Sequence, residues 1–317
     1  MPGDASDAKL QNIPPDLIIR NEDNPRIIFR PAEFENLLES IRLHGVQQPI
    51  SVFKKGKQFV LIDGERRWRC SLKLNKPTVP ALVQAEPSPL DNLLLMFNIH
   101  SLREQWDLLT VALKLPRVIS LLEEALNHSP NEREISQKTG LNRSTIRRCK
   151  LLMELPKKYR QQILRELHKP KSKQKITEDL FIEMERALKT VERAMPDVIP
   201  DKDKVRHVLI NKYKNGTIEN KVHFRQIAKI ARADNVGIDL GIAKRELSRV
   251  FSSNAYSIEE AFLNSVGEAY KERDVSSRIA TLLALLEDVE PADIEPELKQ
   301  RLAELSMRVN RLLEEGR

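Results

Sequence analysis

A strand that stops at a glycine and opens into an arginine-rich helix is the feature that most constrains this chain. The apolar run at residues 59–62 meets a turn at Asp63-Gly64. Four charged residues follow within five positions: Glu65, Arg66, Arg67 and Arg69. A helix N-terminus presents unpaired backbone N–H groups that favour anions, and guanidinium groups match phosphate oxygens two at a time. The segment predicts a phosphate-binding corner, with a solvated basic turn as the alternative.

Length and charge limit the number of domains and the classes of partner that this chain can have. The chain has 317 residues and a net charge of +7, which predicts two or three domains with a mild basic excess. Residues 129–175 hold 14 Lys/Arg against 4 Asp/Glu, and such a local excess indicates a polyanion site or a solvated basic face. No apolar stretch reaches about 18 residues, so we expect no membrane span and a cytoplasmic location.

The predicted elements divide the chain into four segments. Residues 1–12 are expected to be a disordered tail, and residues 13–86 a small domain in which strands and helices alternate. Residues 87–176 are predicted to be a helical domain, and residues 177–317 a second helical domain. The fold class expected from this pattern is α+β, with an all-helical C-terminal part.

Residues 131–153 have the pattern of a helix-turn-helix. Gly140 permits the tight turn, Leu141 fills the angle between the helices, and Asn142 is placed to cap the second helix. That cap and the outward-facing residues of the second helix are the predicted DNA contacts: Asn142, Arg143, Ser144, Thr145, Arg147 and Arg148. Arginines and hydroxyls suit guanine edges and phosphates in a major groove. The alternative is an ordinary helical hairpin within a bundle.

These motifs, in this order, resemble the ParB partition-protein family over roughly residues 11–168, about half of the chain. Asn24-Pro25-Arg26 is similar to an early turn of the family. Gly45-Val46-Gln47-Gln48-Pro49-Ile50 is similar to a segment that comes later in the family's order of motifs. Gly64-Glu65-Arg66-Arg67-Trp68-Arg69 matches the family signature nearly letter for letter, and the helix-turn-helix follows it.

The resemblance implies a sulfiredoxin-like N-terminal domain that binds CTP and closes a homodimer into a clamp on double-stranded DNA. It also implies a role in plasmid or chromosome partition, a partition ATPase as a partner, and a location on the nucleoid or a plasmid. The residues that it assigns to the nucleotide are Arg26, Gly45, Gln48, Gly64, Glu65, Arg66, Arg67 and Asn98.

One position departs from the family pattern. Phe97 stands where the family has a glutamate that binds magnesium, and Ser101 stands where it has an arginine. A carbon ring cannot ligate a hard cation such as Mg²⁺. The resemblance therefore implies CTP binding without extending to magnesium, and at most a weak CTPase activity.

The last third of the chain matches no motif. Apolar residues with 4,3,4,3 spacing run through its final segment: Leu298, Leu302, Leu305, Val309 and Leu312. This is either a coiled-coil seam of about two heptads or a bundle helix that buries one face. Residues 256–317 carry 14 acidic and 8 basic side chains, which disfavours DNA contact there. We expect this part to serve dimerisation or partner docking.

Three functions are consistent with the sequence. The first is a ParB-like DNA-binding protein with a CTP-gated clamp. The second is a DNA-binding transcriptional regulator whose nucleotide pocket is vestigial, a reading that Phe97 favours. The third is a ParB-fold nuclease or kinase; a nuclease would need paired carboxylates for metal, and Asp63 and Glu65 are the only such pair near the corner.

Overall fold

A five-stranded mixed sheet forms the centre of the N-terminal domain. The computed structural model describes residues 8–24, 28–101, 107–287, 289–290 and 294–315. The strands are β1 (Lys9–Ile13), β2 (Ile18–Ile19), β3 (Ile50–Lys55), β4 (Gln58–Asp63) and β5 (Val79–Gln84). Their spatial order is β1-β5-β3-β4-β2. The β1–β5 and β3–β4 pairs are antiparallel, whereas the β3–β5 and β2–β4 pairs are parallel.

Two apolar clusters stabilise this domain. The sheet buries Ile13, Ile18, Ile50, Val52, Leu61, Val79 and Ala81 as one cluster. Helices α1 (Pro31–His44) and α2 (Glu65–Lys73) enclose a second cluster formed by Leu38, Ile41 and Cys70. Pro31 opens α1, where a missing N–H leaves no helical hydrogen bond unmade, and Gly45 ends it with a positive φ of 71°. Strand β4 and helix α2 lie on either side of Gly64, as the sequence predicts.

The predicted disordered tail is too long at its C-terminal end. Residues 9–12 belong to β1, which pairs along its whole length with β5, while residues 1–7 lie outside the described residues. Only Ile13 of this strand is buried, so the segment lacks the alternating apolar pattern that identifies a strand. Its register with β5 comes from backbone pairing at the sheet edge.

The helices that follow the sheet confirm the predicted α+β class. Between residues 85 and 194 the structure describes α3 (Pro89–Ser101), α4 (Leu108–Leu126), α5 (Glu132–Thr139), α6 (Arg143–Glu154), α7 (Lys157–Leu167) and α8 (Glu178–Ala194). Helix α4 packs against both α3 and α6. Pro116 lies inside α4, which continues through it as one helix. Helix α3 contacts both β4 and α5, and α4 packs on the second helix of the helix-turn-helix.

The chain divides into two compact units, residues 1–189 and residues 190–317. The predicted division at 176/177 differs, because most of α8 belongs to the first unit. The basic segment before α8 forms a short 3-10 turn at Lys171–Lys173. Side chains at the start of α8 contact α4 and α6, and those contacts tie the helix to the first unit.

The second unit is helical, as its sequence predicts. Its elements are α9 (Lys202–Asn215), α10 (Phe224–Ile230), α11 (Leu240–Ser252), α12 (Ile258–Leu263), α13 (Gly267–Glu287) and α14 (Pro296–Glu315). A capping box between Ser257 and Glu260 begins α12, as the sequence indicates. Of the helices that the structure describes, none combines the length and hydropathy of a bilayer-spanning segment.

A buried lysine joins three elements of the second unit. The side chain of Lys212, in α9, is fully buried and donates hydrogen bonds to the carbonyl oxygens of Val250 and Tyr256. Its amine thus satisfies a carbonyl in the last turn of α11, where helical carbonyls lack partners. Burial lowers the pKa of Lys212 to about 8, because the charged form loses hydration.

We expect Lys212→Met to change how stability depends on pH. The pKa of Lys212 is about 8 in the folded protein against an ordinary value of 10.5, so between these values the unfolded state binds more protons. The free energy of unfolding of the wild type should therefore rise with pH, relative to Lys212→Met, by up to about 3 kcal/mol across this window. Urea denaturation of both proteins from pH 7 to pH 10 tests this. A stability difference that stays constant with pH would contradict it.

Candidate nucleic-acid interface and anion-binding corner

Gly64 forms the turn that joins β4 to α2. Its φ of +95° lies in the left-handed region, and a Cβ at this position would lie 2.6 Å from Cγ2 of Ile50. The same Cβ would lie 3.1 Å from Nη2 of Arg67. No side chain from the Gly64 position caps α2, so the turn presents the first backbone N–H groups of the helix. The predicted turn from a strand through glycine into a helix is therefore present in the backbone.

The two arginines that follow Glu65 have different surroundings. Arg67 is largely buried; it donates to the carbonyl oxygens of Gln48 (2.7 Å) and Pro49 (2.9 Å) and to the Asp63 carboxylate (3.0 Å). Arg66 is more exposed and donates to the carbonyl of Glu33 at 2.6 Å. Arg67 thus fixes the loop that carries Gln48 beside the corner, whereas Arg66 reaches across to α1.

Glu65 points into the protein. Its side chain is 2 % exposed and accepts hydrogen bonds from Asn24 (2.8 Å) and from two nitrogens of Arg69 (3.0 and 2.6 Å). The guanidinium of Arg20 lies 3.2 Å from the same carboxylate. The guanidinium of Arg69 also stacks on Phe29, 4.0 Å from the ring centre. The Glu65 carboxylate therefore holds the guanidinium groups of Arg20 and Arg69 and the turn at Asn24 in place.

The remaining residues assigned to the nucleotide are dispersed. Gly45 ends α1, and Arg26 lies outside the described residues. Asn98 is exposed on α3 and donates to the carbonyl of Lys138 in α5 at 3.5 Å. Phe97 is fully buried. Its ring belongs to the core and offers no oxygen to a cation. Within the described ranges, no group of three His, Cys, Asp or Glu side chains could hold a metal ion.

Helices α5 and α6 form a helix-turn-helix with both starts capped. Asn131 and Glu134 make a capping box on α5, and the Asn142 side chain accepts the N–H of Thr145 at 2.7 Å to cap α6. Gly140 adopts a φ of +72° at the turn. Leu141 is buried between the helices, as its position predicts. Each of these local features follows from the sequence.

The outward face of α6 is basic, and acidic groups order part of it. Arg143 and Ser144 are exposed at the start of the helix, and Thr145 is half-buried. Arg147 donates to Glu132 of α5 at 2.8 Å, and this hydrogen bond lowers the pKa of Glu132. Arg148 pairs with Asp179 of α8. The structure thus brings the predicted DNA-contacting residues onto one helix, with Arg147 more exposed than Arg148.

The acidic pair at the start of α8 is a functional feature that sequence reasoning missed. The Glu178 carboxylate accepts the N–H of Leu109 and so caps α4, while its neighbour Asp179 holds Arg148. Burial raises the pKa of Glu178 to about 7. The only sequence signal is two adjacent acids after a basic segment, and nothing local to that signal identifies α4 or α6 as the partner.

Comparison with known proteins finds similarity in the N-terminal half. Residues 2–95 match the family model of the ParB N-terminal domain. The nucleoid occlusion protein of Geobacillus thermodenitrificans is 31% identical over 158 residues, which cover 49% of this chain and 53% of that protein. The probable chromosome-partitioning protein ParB of Pseudomonas putida is 33% identical over 150 residues, covering 47% of this chain and 49% of that protein. The chain spans about half the length of the curated relatives it matches.

A solved structure is also similar in part. The C-terminally truncated chromosome-partitioning protein ParB from Caulobacter crescentus, complexed with CTP-gamma-S, is 28% identical and covers 50% of this chain and 84% of that chain. The TM-score is 0.29, which is too low for an inference about fold or ligand.

Replacing Gly64 by alanine should destabilise the protein more than replacing Gly56. Both glycines have a positive φ, but a Cβ at Gly56 meets nothing within 4 Å, whereas one at Gly64 collides with Ile50. A left-handed alanine costs about 1–2 kcal/mol, and overpacking adds about 1–3 kcal/mol. Urea denaturation of Gly64→Ala and Gly56→Ala measures the difference in the free energy of unfolding. Equal losses would show that the turn does not pack closely on β3.

Proposed function

The N-terminal half of this chain is ParB-like, and from that premise we propose a DNA-binding partition protein whose hold on double-stranded DNA is gated by CTP. The observation that carries the proposal is the presence, in one compact unit of residues 1–189, of both a capped helix-turn-helix and the Gly64 corner. A partition ATPase as a partner and a nucleoid or plasmid location belong to the same proposal.

The DNA-contacting surface is the exposed side of α6. Arg143 and Ser144 lie at its N-terminal end, which is the part of a recognition helix that reaches base edges. Arg147 is exposed, and its surface ion pair with Glu132 contributes little free energy, so the guanidinium can exchange that carboxylate for DNA. Asn142 and Arg148 act here mainly as positioning residues, since one caps α6 and the other is held by α8.

The proposed nucleotide site is the start of α2 with Arg66 beside it. The backbone N–H groups after Gly64 and the Arg66 guanidinium supply donors for a triphosphate. Arg66 would exchange the Glu33 carbonyl, and a partly exposed ion pair with the Glu33 carboxylate at 3.8 Å, for a phosphate that accepts a charge-assisted hydrogen bond. Arg67 and Glu65 keep the surrounding loops in place. No step in this proposal uses magnesium, because Phe97 is a core residue.

A second candidate is a DNA-binding regulator with a vestigial nucleotide pocket. The observation in its favour is that protein groups already occupy Arg67: two carbonyl oxygens and the Asp63 carboxylate accept its hydrogen bonds. In that case only the helix-turn-helix functions. CTP binding distinguishes the two candidates.

Arg66→Ala and Arg147→Ala should separate the two activities. We expect Arg66→Ala to weaken CTP binding by about tenfold or more, the loss of a charge-assisted hydrogen bond, while DNA binding without nucleotide changes by less than about threefold. Arg147→Ala should weaken DNA binding by about tenfold and leave CTP binding unchanged. Isothermal titration measures CTP, and fluorescence anisotropy measures a duplex selected from a random library.

Arg42→Ala is the matched control, because Arg42 is an exposed arginine on α1 whose ion pair with Glu39 is local to that helix. Loss of both activities in either single variant, with the circular dichroism spectrum unchanged, would contradict the division of labour. Absence of CTP binding by the wild type, with and without DNA, would leave the regulator as the function.

Helices α13 and α14 supply the proposed dimer contact. Val275 (49 % exposed) and Ile279 (48 %) lie four residues apart on α13, and Leu305 (42 %) and Leu312 (59 %) lie seven apart on α14. Heptad-spaced apolar side chains of this kind are buried by another helix in a stable assembly. We propose that a second copy of the chain covers them, because identical seams on two copies are self-complementary in a two-fold dimer.

A double substitution, Leu305→Glu with Leu312→Glu, should convert a dimer into a monomer. Both side chains are exposed within a single chain, so the change leaves the fold of that chain intact while placing charges in the seam. Size-exclusion chromatography with light scattering should show the mass halved. Met307→Glu, on the same helix but outside the 4,3,4,3 series, is the control and should remain dimeric. A wild type with the mass of one chain would refute the dimer.

A further inference from the structure

Five consecutive residues, Arg20 to Asn24, each contact a helix that lies far along the chain. The contacts are Arg20 with Glu65 on α2, Asn21 with Asn92 on α3, Glu22 with Lys114 on α4, Asp23 with Arg117 on α4, and Asn24 with Glu65 on α2. The segment that they form, here called the 20–24 turn, is therefore held from three helices at once.

The first and last residues of the 20–24 turn attach it to the anion-binding corner. The Arg20 guanidinium lies 3.2 Å from the Glu65 carboxylate, and the Asn24 amide donates to that carboxylate at 2.8 Å. Glu65 is the first residue of α2, directly after Gly64. Any displacement of the start of α2 therefore acts on both ends of the turn.

The three middle residues attach the turn to α3 and α4. The Asn21 amide donates to Asn92 at 2.9 Å, and both side chains are buried. Lys114 donates to the carbonyl of Glu22 at 2.6 Å. Arg117, three residues further along α4, lies 3.0 Å from the Asp23 carboxylate. A buried amide that loses its partner is costly, so this attachment favours discrete arrangements over gradual sliding.

Helix α4 connects the 20–24 turn to the DNA-binding surface on α6. It packs against α6, and the buried Cys149 thiol of α6 donates to the carbonyl of Leu108 at the start of α4. Glu178 of α8 caps the same end of α4, and its neighbour Asp179 holds Arg148 of α6. A continuous series of packed and hydrogen-bonded groups thus runs from Gly64 to the recognition helix.

We propose that the 20–24 turn couples the anion-binding corner to the DNA-binding helices. Its residues, with Asn92, Lys114 and Arg117, are positioning residues that act through Glu65 on one side and α4 on the other. This inference rests on the proposed function for its biological meaning. It goes beyond it by naming the side chains that transmit occupancy of one site to the other.

Hydrogen–deuterium exchange of the full chain tests the coupling. The variant is Lys114→Met with Arg117→Ala, which releases the turn from α4 without touching Glu65 or α6. In the wild type, DNA binding should slow exchange of residues 65–73 by about threefold or more, and in the variant this slowing should be lost. DNA affinity without nucleotide should remain within about threefold of the wild type.

Two further variants keep the test decisive. Glu124→Ala changes an exposed residue of α4 beyond the turn and should retain the wild-type response. Arg117→Ala alone removes an exposed ion pair and should give a partial loss of slowing even if the double variant unfolds. Exchange in β3 and β5 should be unaffected in every variant, since a general destabilisation would accelerate it there too.

The outcomes separate this inference from the proposed function. If the variants retain full slowing at residues 65–73, or the wild type shows none when DNA binds, the coupling is overturned. If CTP does not bind to the wild type, the proposed nucleotide fails, and the exchange measurement, which uses only DNA, still decides the coupling. If CTP binds, it should change DNA affinity in the wild type and in Glu124→Ala, and the double variant should lose this effect.

Discussion

The buried Glu65 carboxylate is the interaction on which the arrangement of the first unit depends. A carboxylate withdrawn from water costs several kcal/mol unless cations and hydrogen-bond donors surround it. Arg20, Arg69 and Asn24 supply that environment, and two of these three lie in the early turn. The carboxylate thereby fixes where the chain after β2 crosses the start of α2. Without it, two guanidinium groups would face each other with no compensating charge, and the turn that reaches α3 and α4 would lose its attachment to the corner.

This use of Glu65 changes which arginines are available to an anion. Arg69 is committed to Glu65 and stacks on Phe29, and Arg67 supports the loop at Gln48. A cluster that looks uniformly basic in the sequence therefore has distinct roles. Arg66 has the most distant charged partner, because its guanidinium lies 3.8 Å from the exposed Glu33 carboxylate and donates its short hydrogen bond to the Glu33 carbonyl. The anion affinity of the corner would then come from one guanidinium and the backbone N–H groups after Gly64. That combination suits a phosphate tail, since oriented N–H groups need no reorganisation when the ligand arrives.

Local patterns account for the parts of the fold that the sequence predicts. The Gly64 turn, the Asn142 cap and the helix-turn-helix each depend on residues a few positions apart, and all are present. The errors have a common physical cause in distant pairing. Strand β1 is specified by β5 and buries only Ile13, and the start of α8 is specified by α4 and α6. The position of Glu65 at the start of α2 is local information, whereas the inward direction of its side chain depends on Arg20 and Asn24, over 40 residues earlier. Its assignment to the nucleotide stays a prediction.

The arginines of α6 also differ in their surroundings, because acidic side chains from two different helices pair with them. Arg147 pairs with Glu132 at the surface, where an ion pair is worth at most about 1 kcal/mol and is screened by salt. Loss of the Glu132 partner therefore costs Arg147 little free energy. Arg148 is less exposed and pairs with a helix that also caps α4, so its release would disturb α4 as well. Two adjacent arginines on one helix thus differ in how firmly the surrounding fold holds them. The local basic excess of residues 129–175 lies in the first unit, and there α6 packs directly against α4.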